Sequence, residues 1–129
     1  MILNGRKIAT GSATGKALVT SMGISFYGGV DPESGCVVEK GHELEGQSIA
    51  GRVLVFPTGK GSTVGSYTLY RLKKAELAPA AIVNTESETI TAVGCIISDI
   101  PCVDHIPIER IKTGMQARVD GESGLVELA

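Results

Sequence analysis

The residues best equipped for chemistry in this sequence lie in one short run, Thr58-Gly59-Lys60-Gly61-Ser62-Thr63. Its alternating glycines remove Cβ atoms and let backbone N–H groups converge, with a lysine and a hydroxyl set among them. The apolar stretch Arg52-Val53-Leu54-Val55-Phe56 before it reads as a strand buried on both faces, ended by Pro57. Beyond it, Val64 to Lys74 reads as a helix, with Arg71, Lys73 and Lys74 in the last turn complementing the carbonyl end of the dipole. A strand, glycine loop and helix in this order present unsatisfied N–H groups at a positive helix end. That is a site for a carboxylate, a phosphate or a developing oxyanion, to which Lys60 adds a full positive charge. It is not the nucleotide P-loop: Gly61 separates Lys60 from Ser62, and Leu54 stands where that motif needs a glycine.

Ser62 has two readings. As a helix N-cap its hydroxyl accepts a backbone N–H and contributes ~1 kcal/mol. As a catalytic base it needs helix-end donors and nearby cations to stabilise an alkoxide, because free serine is a very weak acid. Thr63 is the alternative cap that would leave Ser62 free. The other notable loop, Ser25-Phe26-Tyr27-Gly28-Gly29-Val30-Asp31-Pro32, also has two readings. Either Gly28 and Gly29 serve turn geometry alone, or Ser25, Gly28 and Gly29 line a cleft beside Ser62 while Phe26 and Tyr27 face the core or a partner.

The elements that must hold these loops read as one α/β domain spanning residues 1–129 with a mixed sheet. Lys16–Thr20 and Gly35–Val38 are expected strands, Ala80–Asn84 a second buried strand, and Pro101–Val103 a short one. Glu88–Asp99 is ambiguous: Thr89, Ile90, Thr91 and Val93 favour a strand by propensity, whereas Ile90, Val93 and Ile97 recur at helical spacing before Pro101. It is read as a helix. Gln116–Asp120 and Leu125–Leu128 form a hairpin around Gly121-Glu122-Ser123-Gly124.

Composition excludes several functions. The net charge of -2 leaves no footprint for duplex nucleic acid or an anionic membrane, and 4% aromatics leave no stacking platform for single strands. No stretch reads as a signal peptide or a bilayer span, so a reducing cytoplasm is the expected compartment. Cys36, Cys95 and Cys102 are odd in number, widely spaced and without a C-x-x-C, so they read as small buried hydrophobes. Cys102-Val103-Asp104-His105 and His42 hint at a metal, but no closing ligand lies nearby, and no metal is expected in this chain.

Ser25–Pro32, Gly51–Pro57 and Gly59-Lys60-Gly61-Ser62-Thr63-Val64-Gly65-Ser66, with Ala78–Asn84 and Ile100-Pro101, resemble the aconitase X swivel-domain family nearly end to end. The resemblance implies a swivelling β/β/α fold, like the fourth domain of aconitase, with a mixed sheet flanked by two short helices. It implies a proton-accepting serine at Ser62, and a larger aconitase-like partner subunit carrying an iron–sulfur cluster that this chain does not bind. One iron of that cluster would act as Lewis acid on a departing hydroxyl. The implied reaction converts (R)-5-phosphomevalonate to trans-anhydromevalonate 5-phosphate and water. Relatives that dehydrate hydroxyproline are one alternative. A non-catalytic module binding a small phosphorylated or carboxylate metabolite is another. Under the enzymatic reading Lys60, Gly61 and Thr63 contact substrate, as do Ser25, Gly28 and Gly29 in the cleft reading of their loop.

Overall fold

A computed structural model describes residues 1–129. Eight strands run in the order β1-β8-β7-β3-β4-β5-β6-β2. In chain order they are β1 (Ile2–Asn4), β2 (Arg6–Ala9), β3 (Ser12–Val19), β4 (Val53–Phe56), β5 (Ala81–Asn84), β6 (Cys102–Asp104), β7 (Gln116–Asp120) and β8 (Leu125–Leu128). The helices are α1, a single distorted turn at Phe26–Gly29, α2 (Gly65–Lys74) and α3 (Thr89–Ser98). The expected mixed α/β architecture is present, with α2 and α3 as the two short flanking helices. The β7–β8 hairpin has the expected bounds.

The two edge strands of the sheet, β1 and β2, are successive halves of one N-terminal segment bent at Gly5. Its first half pairs with β8 and its second with β6, both antiparallel. The sheet therefore curls until its edges meet end to end, which removes the exposed edges that invite aggregation. Gly5 is required at the bend, because a side chain there would overlap the Asp104 carbonyl and press on Ile106.

This curvature divides the apolar residues into two cores. Val53, Val55, Ala81, Val83, Val103, Ala117, Val119 and Val126 point inward and fill the closed sheet. The alternate residues Leu18, Leu54, Phe56 and Ile82 point outward and pack beneath Leu69 and Leu72 of α2 and Cys95 of α3. Burial on both faces explains why β4 and β5 read as unbroken apolar runs. Gly94 lets the helices touch: a Cβ there would sit 2.6 Å from Leu69 Cδ1 and 3.3 Å from Ser66 Cα. That close approach supports a helix over Thr89–Ser98 despite its β-branched residues. The carboxylate of Glu88 starts it by accepting from the amides of Ile90 and Thr91 at 2.8 and 2.7 Å.

Two expectations about strands need correction. Gly35–Val38 forms no strand, only isolated bridges from Val37 to Val30 and from Cys36 to Ser48. The chain turns too tightly there for a ladder, with Gly35 N and Ser34 N both returning to the Asp31 carbonyl. The N-terminal strands β1 and β2 have no counterpart in the sequence reading. Their partners lie about a hundred residues away, beyond the reach of local pattern.

Strands β3, β4, β5 and β6 run parallel. Their carboxyl ends therefore share one edge, where open α/β sheets place their ligands. Thr20–Ser25, Pro57–Ser62 and Thr85–Glu88 all emerge there.

Candidate active site

The loop from β4 to α2 and the loop after β3 are laced together. Ile24 N donates to Thr58 O at 3.3 Å and Lys60 N to Ile24 O at 3.0 Å, so the two segments run side by side. The Ser25 hydroxyl donates to Tyr27 O at 2.8 Å. Gly61, at φ +97°, lies so close that any side chain there would overlap Ser25 Oγ. Gly59 is buried in the same way, with room at its Cα for nothing but hydrogen against Glu88 Oε1 and Thr91 Oγ1. The first glycine thus fits the loop onto the start of α3, and the second supplies the left-handed turn and fits it onto Ser25.

This turn delivers Ser62 to the surface. Its side chain is exposed, and Oγ accepts from Val64 N at 3.1 Å, a tight hydroxyl turn. Neither Ser62 nor Thr63 caps α2. The helix begins at Gly65 behind Val64, with no side-chain cap. Gly65 N and Ser66 N return to the carbonyls of Ser62 and Thr63. The amides of Gly61, Ser62 and Thr63 donate to no acceptor in the chain. Three consecutive N–H groups without an acceptor therefore stand ahead of the start of α2, an arrangement that can receive an anion.

Lys60 differs from expectation. Its Nζ lies 3.0 Å from Glu39 Oε2, so its charge is locally balanced rather than free. With Lys60 paired in this way, the donors beside Ser62 that have no acceptor in the chain are backbone amides. Glu39 carries no sequence signal, since it stands 21 residues from its partner and is brought there by packing. Glu88 had a local signal, a carboxylate directly before an apolar run at N-cap spacing.

The Ser25–Pro32 loop divides. Ser25 is beside Gly61, as the cleft reading requires. Phe26 enters the core and meets the Phe56 ring edge-on at 5.9 Å, while Tyr27 is exposed. Gly28 is open, with nothing within 4 Å of a would-be Cβ, whereas Gly29 is buried against Glu39 and the Ser25 side chain. Thr63 lines a groove of about 340 Å³ between α2 and α3. Ser62 is exposed and does not itself line this groove.

A separate ion-pair cluster occupies the same sheet edge. Arg6 forks onto Asp104 at 2.9 and 2.8 Å and reaches Glu86 at 3.1 Å, while Ser87 N donates to Asp104 at 2.9 Å. Burial pushes the Asp104 carboxyl up, but Arg6 and the Ser87 amide outweigh it and hold it below the ordinary carboxylate value. With His105 these acids form the one trio spaced closely enough for a cation, and Arg6 already supplies the positive charge there. His42 accepts from Leu44 N and so donates through Nε2 to Gly23 O, a role that holds loops together.

The cysteines do not fit an iron–sulfur cluster. Cys95 and Cys102 are buried in the outer core, Cys36 is on the irregular loop, and no cysteine belongs to a ligand-spaced group. Contact with Cys102 and burial together push the Cys95 thiol well up, so it rests as a neutral thiol in the outer core.

Comparison with known proteins identifies the family and the fold. The family model described as aconitase X swivel domain matches residues 2–128. The phosphomevalonate dehydratase small subunit of Thermococcus kodakarensis is 56% identical over 128 residues, covering 99% of this chain and 96% of its own. Its counterpart in Methanocella arvoryzae is 54% identical over 132 residues, covering both chains fully. The crystal structure of Thermococcus kodakaraensis aconitase X in its holo form superposes with a TM-score of 0.98 at 55% identity, over 100% of this chain and 98% of that one. A UPF0107 protein solved by solution NMR superposes at 0.91 with 48% identity, over 100% and 99%. In sequence and in fold, over essentially its whole length, this chain belongs to the aconitase X swivel-domain family.

Proposed function

We propose that the chain is the small subunit of a phosphomevalonate dehydratase and supplies the proton acceptor, Ser62, to a site completed by a larger subunit. The substrate is (R)-5-phosphomevalonate and the products are trans-anhydromevalonate 5-phosphate and water. Ser62 takes a proton from the carbon beside the carboxylate, and loss of the hydroxyl from the neighbouring carbon completes the elimination. The iron–sulfur cluster of the reaction would reside in the larger subunit, a placement supported by this chain's three cysteines belonging to no ligand-spaced group.

The observation that carries the reading is the exposed Ser62 hydroxyl beside the free amides of Gly61, Ser62 and Thr63. A serine acts as a base only where its alkoxide is stabilised, and preorganised N–H donors at a helix start do this at no reorganisation cost. The same amides are placed to grip an anionic group of the substrate, with Lys60 joining if it exchanges Glu39 for that anion. Relatives sharing over half their residues with this chain bear the name of that dehydratase's small subunit, which supports the substrate assignment.

The bond from Val64 N to Ser62 Oγ favours one competing reading, in which Ser62 only shapes the turn and the amides hold a metabolite without chemistry. Ser62→Ala, co-expressed with the large subunit and assayed for dehydration, separates the two. Loss of a general base lowers kcat by about 10²–10⁴-fold while the melting temperature barely moves. Turnover near that of the parent, in a variant that folds and assembles, would falsify the base assignment.

A further inference from the structure

The chain reaches Ser62 with few ties to the rest of the molecule. The last backbone anchor before it is Lys60 N, which donates to Ile24 O at 3.0 Å. From Gly61 to the start of α2, no backbone N–H bonds another segment. Lys60 adds a second tie through its side chain. Its stem crosses Gly23, where a Cβ would lie 3.5 and 3.7 Å from Lys60 Cδ and Cγ. Its ammonium then meets Glu39 Oε2 at 3.0 Å. Lys60 is the only side chain between Gly59 and Thr63 that bonds another loop.

Glu39 is the better held of the two, 29% exposed against 49% for Lys60. The turn that carries it is fastened to the loop after β3. His42 Nε2 lies 3.0 Å from Gly23 O, beneath the lysine stem. The Glu43 carboxylate accepts from Ser21 N at 2.8 Å and from the Thr20 hydroxyl. Val38 N donates to Gly29 O at 2.9 Å, and Gly29 in turn packs on Glu39 and on Ser25.

We propose that Glu39 is a positioning residue for the reaction: through Lys60 it fixes the loop that presents Ser62 and its neighbouring amides. This role rests on Ser62 being the proton acceptor, as proposed above, and adds what holds that serine in place. An exposed ion pair contributes little to folding, because both charges are solvated and screened. A displacement of about 1 Å at a reacting group can lower turnover by about a hundredfold. The pair therefore matters for chemistry where it hardly matters for folding. Release of Lys60 to a substrate anion is the competing use of the same side chain, and the two uses differ in what removal of Glu39 does. A substrate-binding lysine is freed by it and KM falls, whereas a positioning lysine loses its hold and kcat falls.

The test measures turnover of (R)-5-phosphomevalonate by complexes of the large subunit with the parent chain, Glu39→Ala, Lys60→Met, the double variant, and each single variant combined with Ser62→Ala. Methionine keeps the stem across Gly23 and removes the ammonium. Each single variant should lower kcat about tenfold, with KM within about twofold of the parent. The melting temperature should move by less than about 3 °C. The double variant should be no slower than the slower single one, because both remove the same tie. On Ser62→Ala neither should lower the residual rate further. Parental kcat in Glu39→Ala, a KM that falls there and rises in Lys60→Met, or losses that multiply in the double variant would each overturn the proposal while leaving the proposed function intact. A further loss on Ser62→Ala also overturns it, because the pair then acts elsewhere than through the serine. Parental turnover in Ser62→Ala itself overturns the base assignment, and the positioning role with it.

Discussion

Gly59→Ala tests how the serine loop is held. Gly59 is buried, and a methyl group at its Cα would overlap Glu88 Oε1 and Thr91 Oγ1, which are hydrogen-bonded to each other at the start of α3. Gly59 is absent from the left-handed glycines, so its cost is steric and not conformational. Overpacking of this kind costs about 1–3 kcal/mol. If Glu88 instead swings away, its bonds to the Ile90 and Thr91 amides are lost, a cap worth about 1 kcal/mol. The two routes together bracket about 1–3 kcal/mol, which for a domain of this length lowers Tm by roughly 3–15 °C. Gly28→Ala is the contrast, with no neighbour to strike but a φ of +86°. Its cost is the left-handed penalty of about 1–2 kcal/mol, with no dependence on α3. Thermal melts of the purified chain distinguish the two. Adding Glu88→Ala and Thr91→Ala to Gly59→Ala should cost less than the separate losses summed, because the overlapping atoms are then gone. The same additions to Gly28→Ala should be additive. A Gly59→Ala chain melting within about 2 °C of its parent, or strict additivity with the α3 substitutions, would refute the seating of this loop on α3.

The remaining predictions concern the sheet edge and the outer core. Asp104 is held below its ordinary pKa in the folded chain, so its contribution is complete above about pH 4 and is lost as pH falls through the folded value. Asp104→Asn should therefore lower stability at neutral pH by about 1–2 kcal/mol, a figure discounted because Arg6 is half exposed. The difference should shrink toward acid in urea titrations from pH 7 to about pH 2, and a gap that persists there would contradict the ion-pair account. Glu43 and Asp120 are likewise held low, by the Thr20 and Ser21 donors and by the turn amides, so the variant keeps part of the acid slope. Phe56→Ala removes a fully buried ring that packs on Phe26. It should cost about 3–5 kcal/mol by denaturant unfolding, and a loss under about 1 kcal/mol would mean that the outer core collapses to fill the gap.

Legibility followed the range of the forces involved. Val53–Phe56 and Ala81–Asn84 were readable because burial on both faces writes itself into consecutive residues, and the β7–β8 hairpin because its turn is local. The glycine loop and the helix behind it were readable because glycine spacing and a following helix are both short-range signals. Glu88–Asp99 was not decided by its own residues, since the β-branched side chains that favour a strand also stand at helical spacing. The contact of Gly94 with Leu69 and Ser66 supports the helix from outside the segment. The split of Ile2–Ala9 into two edge strands had no local trace, because its hydrogen-bond partners arrive from the far end of the chain.

By itself the sequence determined that a low-Cβ loop with a serine precedes a helix, and that two strands lie buried beneath it. Only the tertiary structure decided what surrounds that serine. It paired Lys60 with Glu39, set Gly59 against Glu88 and Thr91, and brought Ser25 onto Gly61. The reason is that backbone conformation is chosen over a few neighbouring residues, whereas the potential and shape at a hydroxyl are set by every group that packing brings within a few ångströms, whatever its distance along the chain.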